Sequence, residues 1–327
     1  MRRMKTLLAA AVLALGLPAG ASAQTSAPQW PVRPIHVIVG AGVGGGTDIV
    51  TRIIAAPLGD LLGEPVVVEN KQGAGNIIAG ETVVRAAKDG YTAYMMNNAH
   101  GVSAALYKKL PFDSVKDFAF VSLTGTAGLV LVVRPDFPAK SVAELIALAK
   151  RSPGKLNFSS VGVGTTQHFS GEMFRQLAGV DVKHIPYRGT PASVTALLGG
   201  QVDFTFELVQ PVLGQIRSGA LKALAVTSPE RDPSLPDLPT VAQSGLPAFQ
   251  VTSWYGLAFP AGTPAPIIDK MNKALHDVLA REDIQAQLLK VGATAKTSTP
   301  DELRAHVINE IAKWSAVREK AGISQQE

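Results

Sequence analysis

The chain of 327 residues contains no cysteine. That excludes disulfides, thiolate metal sites, a thiol nucleophile and a lipid anchor carried on a cysteine at an export cleavage site. Charge is sparse: Asp, Glu, Lys and Arg make up 17% of residues, with a formal net charge of +5. So weak a surplus gives no reason to expect nucleic acid or an anionic membrane as partner. Beyond residue 23 there is no run of roughly 18 or more apolar residues, so no membrane-inserted helix is expected. The patterns G-x-S-x-G, H-E-x-x-H and the P-loop are missing too. The sequence therefore predicts no enzyme, no cofactor and no metal site.

What is present is ample apolar material, 46% of the chain, enough for a large core. Residues 1–23 read as a secretory signal peptide. Arg2, Arg3 and Lys5 precede an apolar run over 7–17, Pro18 and Gly20 break it, and Ala21-Ser22-Ala23 is a small-x-small cleavage site before Gln24. Removing this segment lowers the net charge to +2. An exported chain with no anchor is expected to be free in the periplasm of a host with an outer membrane.

Strand and helix patterns alternate. The spacing predicts strands over 35–39, 65–69 and 91–96, with helices over 47–62 and from the 73–75 turn to about 88. Strands over 118–123 and 129–133 follow. Next come a capped helix from Ser141 to about Lys150, a strand over 156–160, a helix over 166–177, a strand over 183–186, a helix over 192–198 and strands over 202–206 and 221–227. A Pro-rich loop over 229–247 precedes a strand over 253–259. Helices then start at Thr263-Pro264 and at Thr299-Pro300, the second with a capping box closed by Glu302. This order predicts an α/β protein of two lobes, with 24–125 and 226–327 forming the first and 126–225 the second. Chain crossings are expected near 125–128 and 225–227, with a ligand cleft between the lobes.

Two glycine-rich turns stand where a strand meets a helix. Residues 40–48 (GAGVGGGTD) satisfy G-x-G-x-x-G at Gly40, Gly42 and Gly45, and Glu69 lies where a ribose-binding acid would stand. A nicotinamide-dependent oxidoreductase is thus one reading. Export and the carboxylate of Asp48 beside the phosphate position weigh against it. The other reading is an anion held by backbone N–H groups of Gly45 and Gly46 at a helix start, with the Thr47 hydroxyl adding a donor. Gly164, Thr165 and Thr166 repeat the device in the second series, and His168 follows two residues later. A pair of anion-ready turns, one per lobe, would let one carboxylate bridge both. Asn98 and His100 follow a predicted strand end, Glu207 follows another, Arg188 ends a third and Trp254 starts a fourth. Asn98, His100 and Glu207 thus stand where ligands bind in open α/β sheets. Arg188 reads as a partner for a ligand carboxylate or as a solvated or ion-paired residue, and Trp254 as core or an apolar wall of the cleft. His306 and Glu310 share a helix face at i, i+4, with no third ligand evident, and read as a solvated face.

The motifs in order resemble the extracytoplasmic receptors of tripartite tricarboxylate transporters, the Bug receptors. Among them are GGGTD at 44–48, PVVVEN at 65–70, GAGN at 73–76, DGYT at 89–92, GTTQH at 164–168, HIPYRG at 184–189, LLGGQVD at 197–203 and TSWYGLAFPAGTPAP at 252–266. The resemblance implies a periplasmic-binding-protein-like fold of type II, two α/β lobes joined by crossing strands. It implies a small organic carboxylate held by residues from Ala41 to Asp48 and from Gly164 to His168. Walls would come from Asn98, His100, Arg188, Glu207 and Trp254. It also implies delivery to a two-component membrane permease; a monomer is the default expectation. The first loop departs from the family's usual Pro-Phe-x-Pro start, with Gly40-Ala41-Gly42-Val43 in its place. Glu207 stands where Asp is common, and Leu208 where Asn often follows. A rival reading of the same fold is an exported ligand sensor feeding a signalling partner.

Overall fold

The computed structural model describes residues 30–327, and the expected signal peptide lies outside the described residues. The first elements are β1 (Ile35–Val39), α1 (Gly46–Leu62), β2 (Val66–Asn70), α2 (Ile77–Val84) and β3 (Thr92–Asn97). The apolar residues of α1 recur every four positions, and Val50, Ile54, Leu58 and Leu62 are all buried. The helix ends at Gly63, whose left-handed backbone (φ 83°) lets its N–H reach the Gly59 carbonyl. Next come α3 (Asn98–Leu106), β4 (Phe118–Val133), α4 (Val142–Arg151), β5 (Asn157–Ser160) and α5 (Thr166–Ala178). They are followed by β6 (Lys183–Pro186), α6 (Thr190–Leu198), β7 (Phe204–Leu208), α7 (Val209–Arg217) and β8 (Lys222–Val226). The chain closes with β9 (Thr252–Pro260), α8 (Ala265–Leu279), α9 (Glu282–Lys290) and α10 (Pro300–Ala321).

Among the described residues the strands form one mixed sheet in the order β2-β1-β3-β9-β4-β7-β5-β6, with β8 also paired to β4. The β1, β2 and β3 pairings are parallel, as are those of β5 with β6 and β7. Strands β4 and β9 run antiparallel to their neighbours. The largest correction to the sequence reading concerns β4. The expected break over 125–128 is absent, and one strand of 16 residues runs through it. Gly125, Thr126, Ala127 and Gly128 carry little strand preference of their own. They are held extended by β9, with Gly125 opposite Tyr255 and Gly128 opposite Thr252. From Leu129 onward the partners become β7 and β8. Thr227 stands at this change: its N–H bonds the Leu129 carbonyl (2.9 Å), and its Oγ1 lies 2.6 Å from the Val251 carbonyl.

Caps and apolar spacing set the remaining helices. Thr299 and Glu302 close the expected capping box on α10, with Pro300 at its first position. On α8, Ile268, Met271, Leu275 and Leu279 are buried as their spacing requires. Helices α3, α7 and α9 escaped the sequence reading. Neither α7 nor α9 has a side-chain cap, and α3 starts without a loop because Asn97, the last residue of β3, caps it by accepting from Ala99 N (2.9 Å). Strand β7 lies two residues later than expected, which moves Glu207 inside it, opposite Val130.

Packing around α5 is tight. Gly171 lies against the buried Phe158 ring, and a Cβ there would stand 1.9 Å from a ring carbon. Replacing a helical Gly by Ala ordinarily stabilises by about 0.5–1 kcal/mol. Here overpacking reverses the sign, and Gly171→Ala should cost about 1–3 kcal/mol. Urea denaturation of the two proteins measures the difference; a more stable variant would refute this packing.

Candidate functional site

Both glycine-rich loops are built alike, residue for residue at an offset of 120. Gly44 and Gly164 each take φ 78°, a backbone that favours glycine. In the first loop Gly45 N bonds Gly42 O (2.9 Å); in the second Thr165 N bonds Gly162 O (3.4 Å). Gly44 N donates to Asp48 Oδ2 (2.9 Å), and Gly164 N donates to His168 Nδ1 (3.2 Å). Gly45 and Thr165 are then the extended N-caps of α1 and α5. The first N–H groups of a helix have no intrahelical acceptor. Those of Gly46 and Thr47 in one loop, and of Thr166 and Gln167 in the other, stand at the starts of helices of 17 and 13 residues. The positive end of each helix favours an anion there.

Asp48 and His168 therefore support the loops from behind. Asp48 is buried, and its Oδ1 accepts from Arg52 Nε (3.0 Å) and Asn70 Nδ2 (2.9 Å). Burial pushes its carboxyl up, but the bonds from Arg52, Gly44 and Asn70 outweigh this and hold it below its ordinary value. Asn70 Nδ2 also reaches the Ala41 carbonyl (3.0 Å). His168 stacks on His184 with centroids 4.0 Å apart. Burial, aided by the His184 charge, pushes its pKa down to about 3, so the ring stays neutral and Nδ1 stays an acceptor. Thr165 Oγ1 donates to Gly162 O (2.7 Å) and accepts from His168 N (3.3 Å), so its hydroxyl closes the turn. Thr47 differs: its Oγ1 accepts from Asn97 Nδ2 (2.7 Å), which leaves its hydrogen able to donate. Asn97 is oriented by Asn76 (2.8 Å), and Asn76 lies so close to Gly40 that a Cβ there would stand 2.4 Å from its Cγ.

Helix α3 spaces the loops. Its N-cap Asn97 holds Thr47, while its last residue, Leu106, packs on Gly164, where a Cβ would stand 3.0 Å from Leu106 Cδ2. Near the second loop, Glu207 is fully buried. Its Oε2 accepts from Thr190 Oγ1 (2.9 Å), and its Oε1 is buried with no partner. Burial pushes the carboxyl up to about 7, opposed by neighbouring Ser193, Thr190 and Gln167. Arg188 is exposed between β6 and α6, two residues before Thr190.

Three expected wall residues face elsewhere. His100 is buried in α3, bonded through Nε2 to the Ser114 carbonyl (2.9 Å) and packed among Tyr94, Phe112 and Phe118. Its pKa is pushed down to about 4 by burial. Asn98 is taken up by the backbone of β9, donating to Thr252 O (3.0 Å) and accepting from Trp254 N (2.8 Å). Trp254 turns its indole to Glu310 of α10 (3.3 Å). Its neighbour Tyr255, which the sequence reading passed over, faces the first loop instead: a Cβ on Gly46 would lie 3.2 Å from its hydroxyl. Alternation along a strand gives the two residues opposite faces, and only the position of the loop tells which one serves the site. The dinucleotide arrangement is not assembled, because Gly44 N–H is bound to Asp48 and Glu69 is paired with His36 (2.5 Å). Among the described residues no cluster of three or more His, Asp or Glu is arranged to hold a metal ion, and no helix is long and apolar enough to cross a membrane.

Comparison with known proteins identifies the family. A family model described as the tripartite tricarboxylate transporter family receptor matches residues 50–323. Protein BugT of Bordetella pertussis is 36% identical over 306 residues, 93% of this chain and 94% of its own. Two solved structures from Rhodopseudomonas palustris are similar over nearly their whole length. MatC with bound malate is 36% identical with a TM-score of 0.75, covering 88% of this chain and 99% of its own. Rpa4515 with adipate is 31% identical with a TM-score of 0.79, covering 90% and 99%. The chain belongs to the receptor family of the tripartite tricarboxylate transporters.

Proposed function

We propose that the protein is a periplasmic receptor that binds a small organic carboxylate between residues 41–48 and 164–168 and delivers it to a two-component membrane permease. The observation that carries this reading is the matched construction of the two loops, each presenting helix-start N–H groups from behind a glycine at φ 78°. One carboxylate oxygen would accept from Gly46 N, Thr47 N and the Thr47 hydroxyl. The other end of the group, or a bridging water, would accept from Thr166 N and Gln167 N. Binding of this kind requires no covalent step. The malate and adipate held by the two relatives are of the matching chemical class.

In this reading 24–125 with 226–327, and 126–225, are lobes that close over the ligand. The exchange of partners along β4, from β9 up to Gly128 to β7 and β8 from Leu129 onward, supports a division of the chain near this point. Residues 1–23 are removed on export. Ala41 and Gly45 shape the first loop, Arg188 stands at the rim, and Glu207 lines the distal wall. With no aromatic residue in the first loop, Val43 occupies its tip at 77% exposure.

A thermal-shift screen of the mature chain against mono-, di- and tricarboxylates tests the ligand class. A true ligand at about 100 times its Kd adds about 2.7 kcal/mol to stability, and silence across the panel would overturn the reading. Thr47→Ala removes a donor to a charged group and should weaken binding by about 1.5–3 kcal/mol, roughly ten- to a hundredfold. Gly46→Val pushes on Tyr255 and narrows the same turn, with a loss of similar size. Unchanged calorimetric affinity in both variants would remove the two-loop site.

Glu207 gives a pH dependence of stability. Its folded pKa of about 7 lies above the ordinary value of 4.5, so the native state binds more protons than the unfolded chain between these limits. Stability from this group is greatest below about pH 4.5 and falls as pH rises to about 7. Glu207→Gln abolishes that fall. Relative to the parent, the variant should gain on the order of 3 kcal/mol between pH 4.5 and 8, measured by denaturant titration at both values. A difference that does not change with pH would mean that Glu207 is solvated.

A further inference from the structure

Trp254 faces a cavity of about 510 Å³ on the side of β9 away from Tyr255 and Gly46. Its volume is that of a small-molecule site, roughly 300–1,000 Å³. The floor is Thr126 and Gly128 of β4 with Thr252 of β9, and the walls come from the 228–233 turn, the 294–296 segment and α10. His306 and Glu310, expected on a solvated face, line it instead.

The walls differ in charge. On the wall formed by α10, Glu310 is buried and already satisfied, accepting from the indoles of Trp254 (3.3 Å) and Trp314 (2.9 Å) and from Lys313. His306 stands edge-on to Trp254 with centroids 5.0 Å apart, and its Nε2 is buried with no hydrogen-bond partner. Lys296 adds a second cation; it is exposed and has no ion-pair partner among the described residues. Two lysines against one carboxylate leave a positive surplus beside an orphaned ring nitrogen. On the wall formed by the 228–233 turn Glu230 and Asp232 flank Arg231, a surplus of the opposite sign. Arg231 Nη1 is turned to the Pro236 carbonyl (3.0 Å). Asp232 Oδ2 overhangs Gly128, where a Cβ would stand 3.1 Å away.

We propose that this cavity is a second ligand site, which takes a small zwitterion with its carboxylate at Lys296 and His306 and its ammonium at Glu230 and Asp232. His306 donates from Nε2–H to the carboxylate, which gives that buried nitrogen a partner. A dicarboxylate would set its second charge against Glu230 and Asp232, so the site refuses the ligands that suit the two-loop site. The inference is independent of that site, because it rests on the opposite face of β9.

The test uses the mature chain carrying Thr47→Ala and Gly46→Val, so that the two-loop site is weakened. Isothermal titration with 4-aminobutyrate and with the longer 6-aminohexanoate should show one site for at least one of them. Succinate should bind at least tenfold more weakly, and Lys296→Glu, an exposed change, should weaken the zwitterion at least tenfold. The imidazole NMR signal of His306 should move upward in pKa on saturation, and His306→Gln should lose affinity without loss of fold. Absence of binding by both zwitterions would overturn the proposal. So would equal affinity for succinate, or binding that disappears in the Thr47→Ala, Gly46→Val background. Indifference to both Lys296→Glu and His306→Gln would overturn it as well.

Discussion

A glycine N–H at positive φ, tied to a side chain four residues ahead, is the contact on which both loops depend. It turns the strand end back on itself, so that the next residues start a helix with their N–H groups outward. The two acceptors differ in charge. Asp48 is anionic and stands behind helix-start N–H groups, where it would oppose the proposed anion if left alone; Arg52 and Asn70 neutralise and share it. His168 avoids the problem by remaining a neutral imidazole, buried on His184. One geometry is thus reached by a compensated charge in one loop and by a suppressed charge in the other.

The long strand β4 gives these loops a common frame. Its first half is paired with β9 and its second with β7 and β8, so the strands that end at both loops lie in one sheet. Helices α3 and α10 bind the arrangement together. Val102 and Ala105 of α3, and Trp314 and Val317 of α10, pack in the same core cluster as Phe169 and Phe206. Leu303 and Val307, earlier on α10, pack with Tyr94 and Trp254 in another. The site and the neighbouring cavity are consequently set by the same few elements, one on each face of β9.

Much of this was legible in the chain. Alternating apolar runs gave the strands, four-residue spacing gave α1 and α8, and the Thr299–Glu302 box gave the start of α10. The helix-start loops were legible because their glycines serve a local need. Tyr255 and α3 were not. A strand's alternation separates its two faces without saying which is wanted, and α3 starts on a cap that is also the end of β3.

Sequence alone, then, determined most of the order of elements, the two turns and the family, because caps, turns and periodicity act over a few residues. Tertiary structure decided which way the polar residues turn. Asn98, His100 and Trp254 found partners in β9, the Ser114 carbonyl and α10, all distant in the chain. Gly125 and Gly128 became strand because β9 lies beside them. Buried polar groups must be paired, and the choice of partner belongs to the packing of the whole chain.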